Sequence, residues 1–313
     1  MPGEQHQEGV AALARHRGPA RQGELEAAGD VVVVPSAHGC ELTVARDTLR
    51  RTANQDLGLP TTAYRFVDNR ADFDEAVADL GLPCIVKPAT FSAGHGHTVI
   101  RGEGEVDAAW DNARGDGNDV MVERFVDFDS EITLLAVRSV DPATGKLATW
   151  FCEPIGHINH DGRLLESWQP TSLSPAALDN ARSMAARISN ALGGRGVFAV
   201  EMFVSGDDVY FSGVIPRPHD VATVTLNSQR FSQYDLHARA VLGLPIDTTL
   251  VSPGACTMLY GPVNDLAAAL AVPEADVRLY RDERAMVLAT AETVDSARSR
   301  AAQASEAATR SIG

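Results

Sequence analysis

The chain has 313 residues, 44% of them apolar and 22% charged, the balance of a globular protein able to bury one large or two modest cores. A formal net charge of −15 argues against general nucleic-acid binding, which needs clustered lysine and arginine, and leaves local positive patches as the only places for small anions. No run approaches the roughly 20 apolar residues that span a bilayer, so no membrane role is expected. The cysteines, Cys40, Cys84, Cys152 and Cys256, form no CxxC pair and follow no secretory signal, which fits packing roles for reduced thiols in a cytoplasmic protein.

Residues 1 to 22 are polar and basic without an apolar period and read as a loose arm. "GELEAAGDVVVVPSA" follows as a helix end, a glycine stop and a β-branched run, the last helix and strand of a parallel α/β layer. "LTVARDTLRRTANQDLG" has helical spacing up to Gly58, and "LPTTAYRFVD" is a strand entered through Pro60. "ADFDEAVADLG" predicts a helix stopped by Gly81, and "LPCIVKPA" a buried strand with Lys87 near its end. A glycine-rich turn in "FSAGHGHTVIR" leads to a further strand, "EVDAAWDNA" to a helix, and "DVMVERFVDFDSEITLLAVRSV" to two strands. The last of these turns through "DPATGK" into "LATWFCEPIGHI". After the helix "SPAALDNARSMAARISNALGG", the runs "GVFAVEMFV" and "DVYFSGVIP" are joined by "SGDD" as a hairpin. Residues 221 to 247 read as helical with an "LGLP" stop. From about Ser252 short strands precede the helix "TVDSARSRAAQASEAA".

Lys87 closes an apolar strand beside a glycine-rich turn whose backbone N–H groups can face a polyphosphate, although such turns also serve as plain hairpin connectors. Glu123 and Glu131 stand at strand ends, where a carboxylate can hold a purine amino group or a ribose hydroxyl, or be an ordinary solvated rim residue. A turn centred on Gly206 and Asp207 sets Glu201 opposite Ser212 or Gly213. Carboxylates on two adjacent strands are a natural way to hold Mg²⁺ against nucleotide phosphates, and here only one is present. "PRPHD" adds Arg217, His219 and Asp220 just past the strand end, either as a functional cluster or as a stiff loop.

The order of these pieces, from "LTVAR" and "TANQDLGLPTTAYRF" through "LPCIVKPA", "SAGHG", "MVERFVDFDSEITLL", "PIGHINHDGRLLESWQP" and "PRPHD" to "ARAVLGLPI", resembles the formate-dependent glycinamide ribonucleotide transformylases. These are ATP-grasp enzymes of purine biosynthesis, and the resemblance runs from about Glu24 to the end of the chain. It implies an α/β (α+β) fold with two α+β lobes clasping a nucleotide. A remnant of an N-terminal Rossmann-like substrate domain, of about one hundred residues in the family, would occupy 1–40 together with the arm. The ATP-grasp domain would occupy 41–247, and a small β-rich C-terminal domain 248–313.

By the same resemblance Arg46, Lys87, Ser92, Gly94, His95 and Gly96 would contact the phosphates of ATP, Glu123 and Val126 would line the adenine pocket, and Glu131 would hold the ribose. Glu201 would be a magnesium ligand, and Asp220, Arg217 and Arg284 would face the acceptor. The implied substrates are ATP, formate and glycinamide ribonucleotide, with Mg²⁺ as cofactor and a homodimer as the usual assembly. Three positions depart from the family pattern: Gly213 replaces a second metal carboxylate, His95 a phosphate-loop lysine, and the shortened "LYRDERAMVLATAE" a longer loop ending in two arginines. These departures keep open an ATP-grasp ligase for another carboxylate and amine, or a non-catalytic nucleotide-binding paralogue.

Overall fold

Local caps decide where most of the elements begin and end. The computed structural model describes residues 33–89, 96–115, 119–160 and 163–310. Helix α1 (Ala37–Val44) starts at Ser36, whose hydroxyl accepts the Gly39 amide. Helix α2 (Arg46–Arg51) runs on into a wide turn at Thr52–Asp56, and Gly58 follows at φ +56°, where a side chain would be strained. Strand β1 (Tyr64–Val67) leads to α3 (Arg70–Leu80), capped by Asn69. Then come β2 (Cys84–Pro88), β3 (Thr98–Ile100), α4 (Val106–Arg114) and β4 (Val120–Arg124). These strands form a four-stranded antiparallel sheet in the order β1-β4-β2-β3. Its core closes around Phe73, Trp110, Val86 and Val122, with the two aromatic rings 4.9 Å apart.

The larger lobe begins with β5 (Ser130–Val140), β6 (Leu147–Phe151), β7 (Ile155–His160) and β8 (Arg163–Gln169). Helix α5 (Pro175–Leu192) has Pro175 in its first turn and a Ser174 cap. The hairpin β9 (Gly196–Ser205) and β10 (Asp208–Ile215) follows. Next are α6 (Thr225–Ser228), α7 (Gln233–Leu242), β11 (Gly254–Tyr260), α8 (Leu266–Leu270), β12 (Ala275–Leu279), β13 (Arg284–Thr290) and α9 (Val294–Thr309). The sheet has nine strands, in the order β10-β9-β5-β7-β8-β11-β13-β12 with β6 added on β5.

Each face of this sheet has its own core. On one, α5 presents Ala181, Met184, Ile188 and Leu192, a stripe at helical spacing, to Ile132, Leu134, Phe198 and Val200. On the other, Leu135, Val137, Val197 and Ala199 meet Val221, Val224, Leu236 and Ala240. Each fully buried leucine, isoleucine or valine contributes about 1.5–3 kcal/mol, so the two faces anchor the sheet that carries the site.

Two regions differ from the sequence reading. Residues 221–247 are not one helical run: a 3-10 turn at Asp220–Val224 leads into α6, and a new start is made at Ser232. There the Ser232 hydroxyl accepts from the Asp235 amide while the Asp235 carboxylate accepts from the Ser232 amide, a reciprocal cap that separates α7 from what precedes it. Val33 and Val34, expected to end a strand, lie in an irregular segment before Pro35. The arm and the rest of that helix and strand lie outside the described residues. The C-terminal strands continue the main sheet through β8, where Gly254 pairs with Gln169. Among the described residues no helix is long and apolar enough to cross a membrane. The cysteines are free thiols, and burial pushes Cys152 and Cys256 up to about 12, which keeps them protonated packing groups.

Candidate nucleotide and acceptor site

One face of the nine-stranded sheet changes from apolar to polar along β9. Val197 and Ala199 belong to the core, and the strand period of two then brings Glu201 onto the same face. Its partner positions are Thr133 on β5 and Gly213 on β10. A β-bulge decides the second pairing. The hairpin pairs Asp208 with Ser205 through Phe211 with Met202, then skips Ser212, so Gly213 and not Ser212 faces Glu201. A Cβ at Gly213 would meet only the Glu201 Oε2 atom, at 3.3 Å.

Glu123 enters from β4 of the smaller sheet and is only 2% exposed, so it is not a solvated rim residue. Lys87 Nζ lies 2.7 Å from its Oε2, Arg50 Nη2 2.9 Å from its Oε1, and the Thr62 hydroxyl donates to it as well. Burial alone would raise its pKa, but the Arg50 and Lys87 charges outweigh it and hold the carboxyl down at about 2. Arg50 is the residue that sequence reasoning missed. Besides Glu123 it donates to the carbonyl oxygens of Phe211 and Ser212, each at 3.3 Å, and so ties the hairpin bulge to the smaller lobe. The only signal in the sequence was its place four residues after Arg46, one helical turn along the same face.

Beyond Glu123 the chain lines a cavity of about 230 Å³ that includes Ile85, Phe125, Val126, Glu131 and Phe203. Phe128, also in its wall, stacks on Phe203 with centroids 4.4 Å apart and planes 2° from parallel. A slot walled by flat and aliphatic side chains suits a planar heterocycle, and the Glu131 carboxylate is part of its lining. Burial raises the Glu131 pKa, opposed by the Asn159 amide that donates to it at 3.3 Å. His157 sits beside it, its Nδ1 3.7 Å from Glu131 Oε2 and its Nε2 3.2 Å from the Thr133 hydroxyl.

Burial lowers the His157 pKa to about 4 from 6.5, so at neutral pH this contact is between a carboxylate and an uncharged ring. A histidine kept neutral in the folded state binds fewer protons than in the unfolded chain. Its contribution is fully present above pH 6.5 and is lost as the pH falls from 6.5 to about 4. His157→Gln is therefore expected to flatten the fall in thermal midpoint across that window; an unchanged slope would place its origin elsewhere.

Arg46 reaches the chain on both sides of the glycine-rich segment, at Ala89 and at His97. The Arg46 guanidinium lies 3.1 Å from His97 Nε2 and its backbone amide donates to the Ala89 carbonyl at 2.8 Å. Burial lowers its pKa, against the fields of Glu201 and Glu123 that favour its charge. Gly96 has φ +77°, and a Cβ there would lie 2.7 Å from the Pro88 ring, so only glycine fits. Ser92, Gly94 and His95 lie outside the described residues. Asp220 is 3.7 Å from Arg284, which Asp282 holds at 2.8 Å. Arg217 is exposed and donates to its neighbour's carbonyl at 3.4 Å; no ion pair brings it onto the Glu201 face among the described residues. The His219 backbone is fixed from both sides by the buried Gln233 amide, at 2.8 Å each way.

The ATP-grasp domain family matches residues 52–234. A formate-dependent phosphoribosylglycinamide formyltransferase of Corynebacterium glutamicum (strain R) is 51% identical over 302 residues, covering 91% of this chain and 74% of that protein. The enzyme of the same name from Paraburkholderia xenovorans (strain LB400) is 48% identical over 301 residues, covering 90% and 74%. Among solved structures, glycinamide-RNase-transformylase T from Mycobacterium tuberculosis superimposes with a TM-score of 0.75 at 40% identity, covering 88% of this chain and 74% of that one. A carboxyaminoimidazole ribonucleotide synthase from Aspergillus clavatus, complexed with ATP, shares the fold at a TM-score of 0.80 and 21% identity, over 90% of this chain and 77% of its own. With two α+β lobes meeting at this site, the chain belongs to the formate-dependent phosphoribosylglycinamide formyltransferase family of ATP-grasp proteins.

Proposed function

We propose that the chain transfers a formyl group from formate to the amine of glycinamide ribonucleotide at the expense of ATP. The observation that supports this most directly is the polar face running from the aromatic slot past Glu131 to Glu201, with Lys87 at its smaller-lobe side. A formate oxygen attacks the γ-phosphorus, the bond to ADP breaks, and formyl phosphate results. The acceptor nitrogen then attacks the formyl carbon, phosphate leaves, and the nitrogen gives up a proton. No covalent enzyme intermediate is required, so the protein's contribution is positioning and neutralisation of phosphate charge.

The residues divide that work by place. Val126, Phe125 and Phe203 hold the base, Glu131 accepts from the ribose, and Lys87 and Arg46 face the phosphates. Asp220 orients the acceptor. Among the described residues no cluster of three or more His, Cys, Asp and Glu side chains could hold a metal. Glu201 fits an ion such as Mg²⁺ that takes one or two carboxylates and fills its shell with water and phosphate oxygens. Such an ion would neutralise charge on the transferring phosphoryl group; by this donor set it binds tightly only together with the nucleotide.

Lys87→Ala is expected to abolish measurable ATP binding by calorimetry, because it removes the phosphate-facing charge and strips one cation from buried Glu123. Unchanged affinity would remove the main support for the nucleotide site.

A further inference from the structure

Gln233 is the first residue of α7 and is fully buried, at 0% exposure. A glutamine is usually solvated, and burying its amide costs free energy unless both ends are paired. Here both ends go to one residue. Oε1 accepts from the His219 N–H and Nε2 donates to the His219 carbonyl, each at 2.8 Å, so a side chain supplies one rung of a strand ladder to a residue in extended conformation. The fixed roles of the backbone groups leave the amide a single orientation. Its own position is set by the Gln233 N–H, which donates to the Thr225 hydroxyl at 2.9 Å.

The helix does not need this amide, because Ser232 and Asp235 already cap its start. The segment after β10 does need it. Pro216 and Pro218 have no N–H to donate, so the backbone leaving Ile215 has few means of being held. The His219 carbonyl also accepts from the Ala222 amide at 3.1 Å, which opens the 3-10 turn at Asp220–Val224. Asp220 thus follows a residue pinned at both backbone groups, while its own carboxylate is 54% exposed. Fixing His219 fixes the direction in which Asp220 leaves the chain.

We propose that Gln233 is a positioning residue for acceptor binding, its neutral amide clamping His219 and so aiming Asp220. The acceptor's identity rests on the formyl-transfer reading; the clamp does not. Gln233→Glu has the same shape, but an ionised carboxylate cannot donate to the His219 carbonyl. A protonated one can, and burial raises its pKa. The titratable groups around it, His219, Asp220, Tyr234, Asp235 and Cys256, are common to parent and variants.

Steady-state ADP release, with saturating ATP, Mg²⁺ and formate, is measured against glycinamide ribonucleotide from about pH 6 to about pH 8.5 for the parent, Gln233→Glu and Gln233→Leu. At the alkaline end the ribonucleotide KM of Gln233→Glu is expected to be about tenfold above the parent's, and to approach it as the pH falls. Gln233→Leu should keep the increase throughout, and calorimetric ADP affinity should not change in either variant. A KM equal to the parent's in both, a loss shared by ADP, or the same pH course for both variants would each overturn the proposal. Hydrogen exchange decides the clamp separately: the amides of 219–224 should lose protection in Gln233→Leu, and unchanged protection would refute it. Absence of formate-dependent turnover in the parent would sink the formyl-transfer reading and the acceptor role with it, while the exchange result still decides the clamp.

Discussion

Arg50→Ala is expected to lower folding stability by about 3 kcal/mol, measured by urea unfolding, the lower end of the range for breaking a buried ion pair. Arg50 is 5% exposed and Glu123 2%, so neither charge can be returned to water without opening the junction between the lobes. Lys87 and Thr62 still serve Glu123 in the variant, which is why the larger end of that range is not reached. The Phe211 and Ser212 carbonyls lose their donor at the same time. Arg50→Lys keeps the charge but not the fork that reaches three acceptors, and should recover only part of the loss. A loss below about 1 kcal/mol, the value of an exposed pair, would mean that Lys87 alone compensates Glu123.

The same substitution carries a pH signature. Glu123 is depressed to about 2 from 4.5 in the folded protein, so its contribution is complete above pH 4.5 and is lost as the pH falls through 4.5 towards 2. Without Arg50 the folded-state pKa lies closer to 4.5, so the loss still sets in near pH 4.5 but is smaller and is complete at higher pH. An acid limb identical in parent and variant would contradict the assigned cause.

Gly213→Glu is expected to raise ATP-dependent turnover about 100-fold, the scale on which single electrostatic contributions to a developing charge act. The bulge places position 213 opposite Glu201, and the added Cβ meets nothing but a flexible carboxylate oxygen. The new side chain therefore adds a second carboxylate without disturbing the strand. In metal-free protein two like charges across a strand pair should cost a few tenths of a kcal/mol to about 1 kcal/mol. ADP with Mg²⁺ should reverse that cost. Gly213→Gln has the same bulk and no charge and should give neither effect. Equal behaviour of the glutamate and glutamine variants would show that the missing charge is not what limits the site.

Much of the site was legible in the chain because its parts are local. "SGDD" between two apolar runs set the β9–β10 hairpin, and Lys87 and Glu123 each closed an apolar strand. What decided between Ser212 and Gly213 was one skipped residue, and a bulge has no compositional mark beyond a glycine that could equally be a weak spot. Arg50 was hidden in "RDTLRR", which reads as a solvated charged face, because its partners lie 73 positions further on in Glu123 and beyond in the hairpin. The Phe128 and Phe203 stack joins the segment before β5 to β9, and Arg163, Tyr260 and Arg284, which line one cleft, lie on β8, β11 and β13, so only the sheet order brings each group together. The interrupted run after Asp220 was missed for a simpler reason: Ser232 and Asp235 three residues apart are a start signal lying inside a segment otherwise of helical composition.

The most direct measurement is steady-state ADP release with ATP, Mg²⁺ and formate, with and without glycinamide ribonucleotide, for the parent and Gly213→Glu. Formyl transfer predicts release in the parent that depends on formate, rises with the ribonucleotide, and rises further in the variant. Release that ignores formate in both chains, or is absent from both, would contradict it.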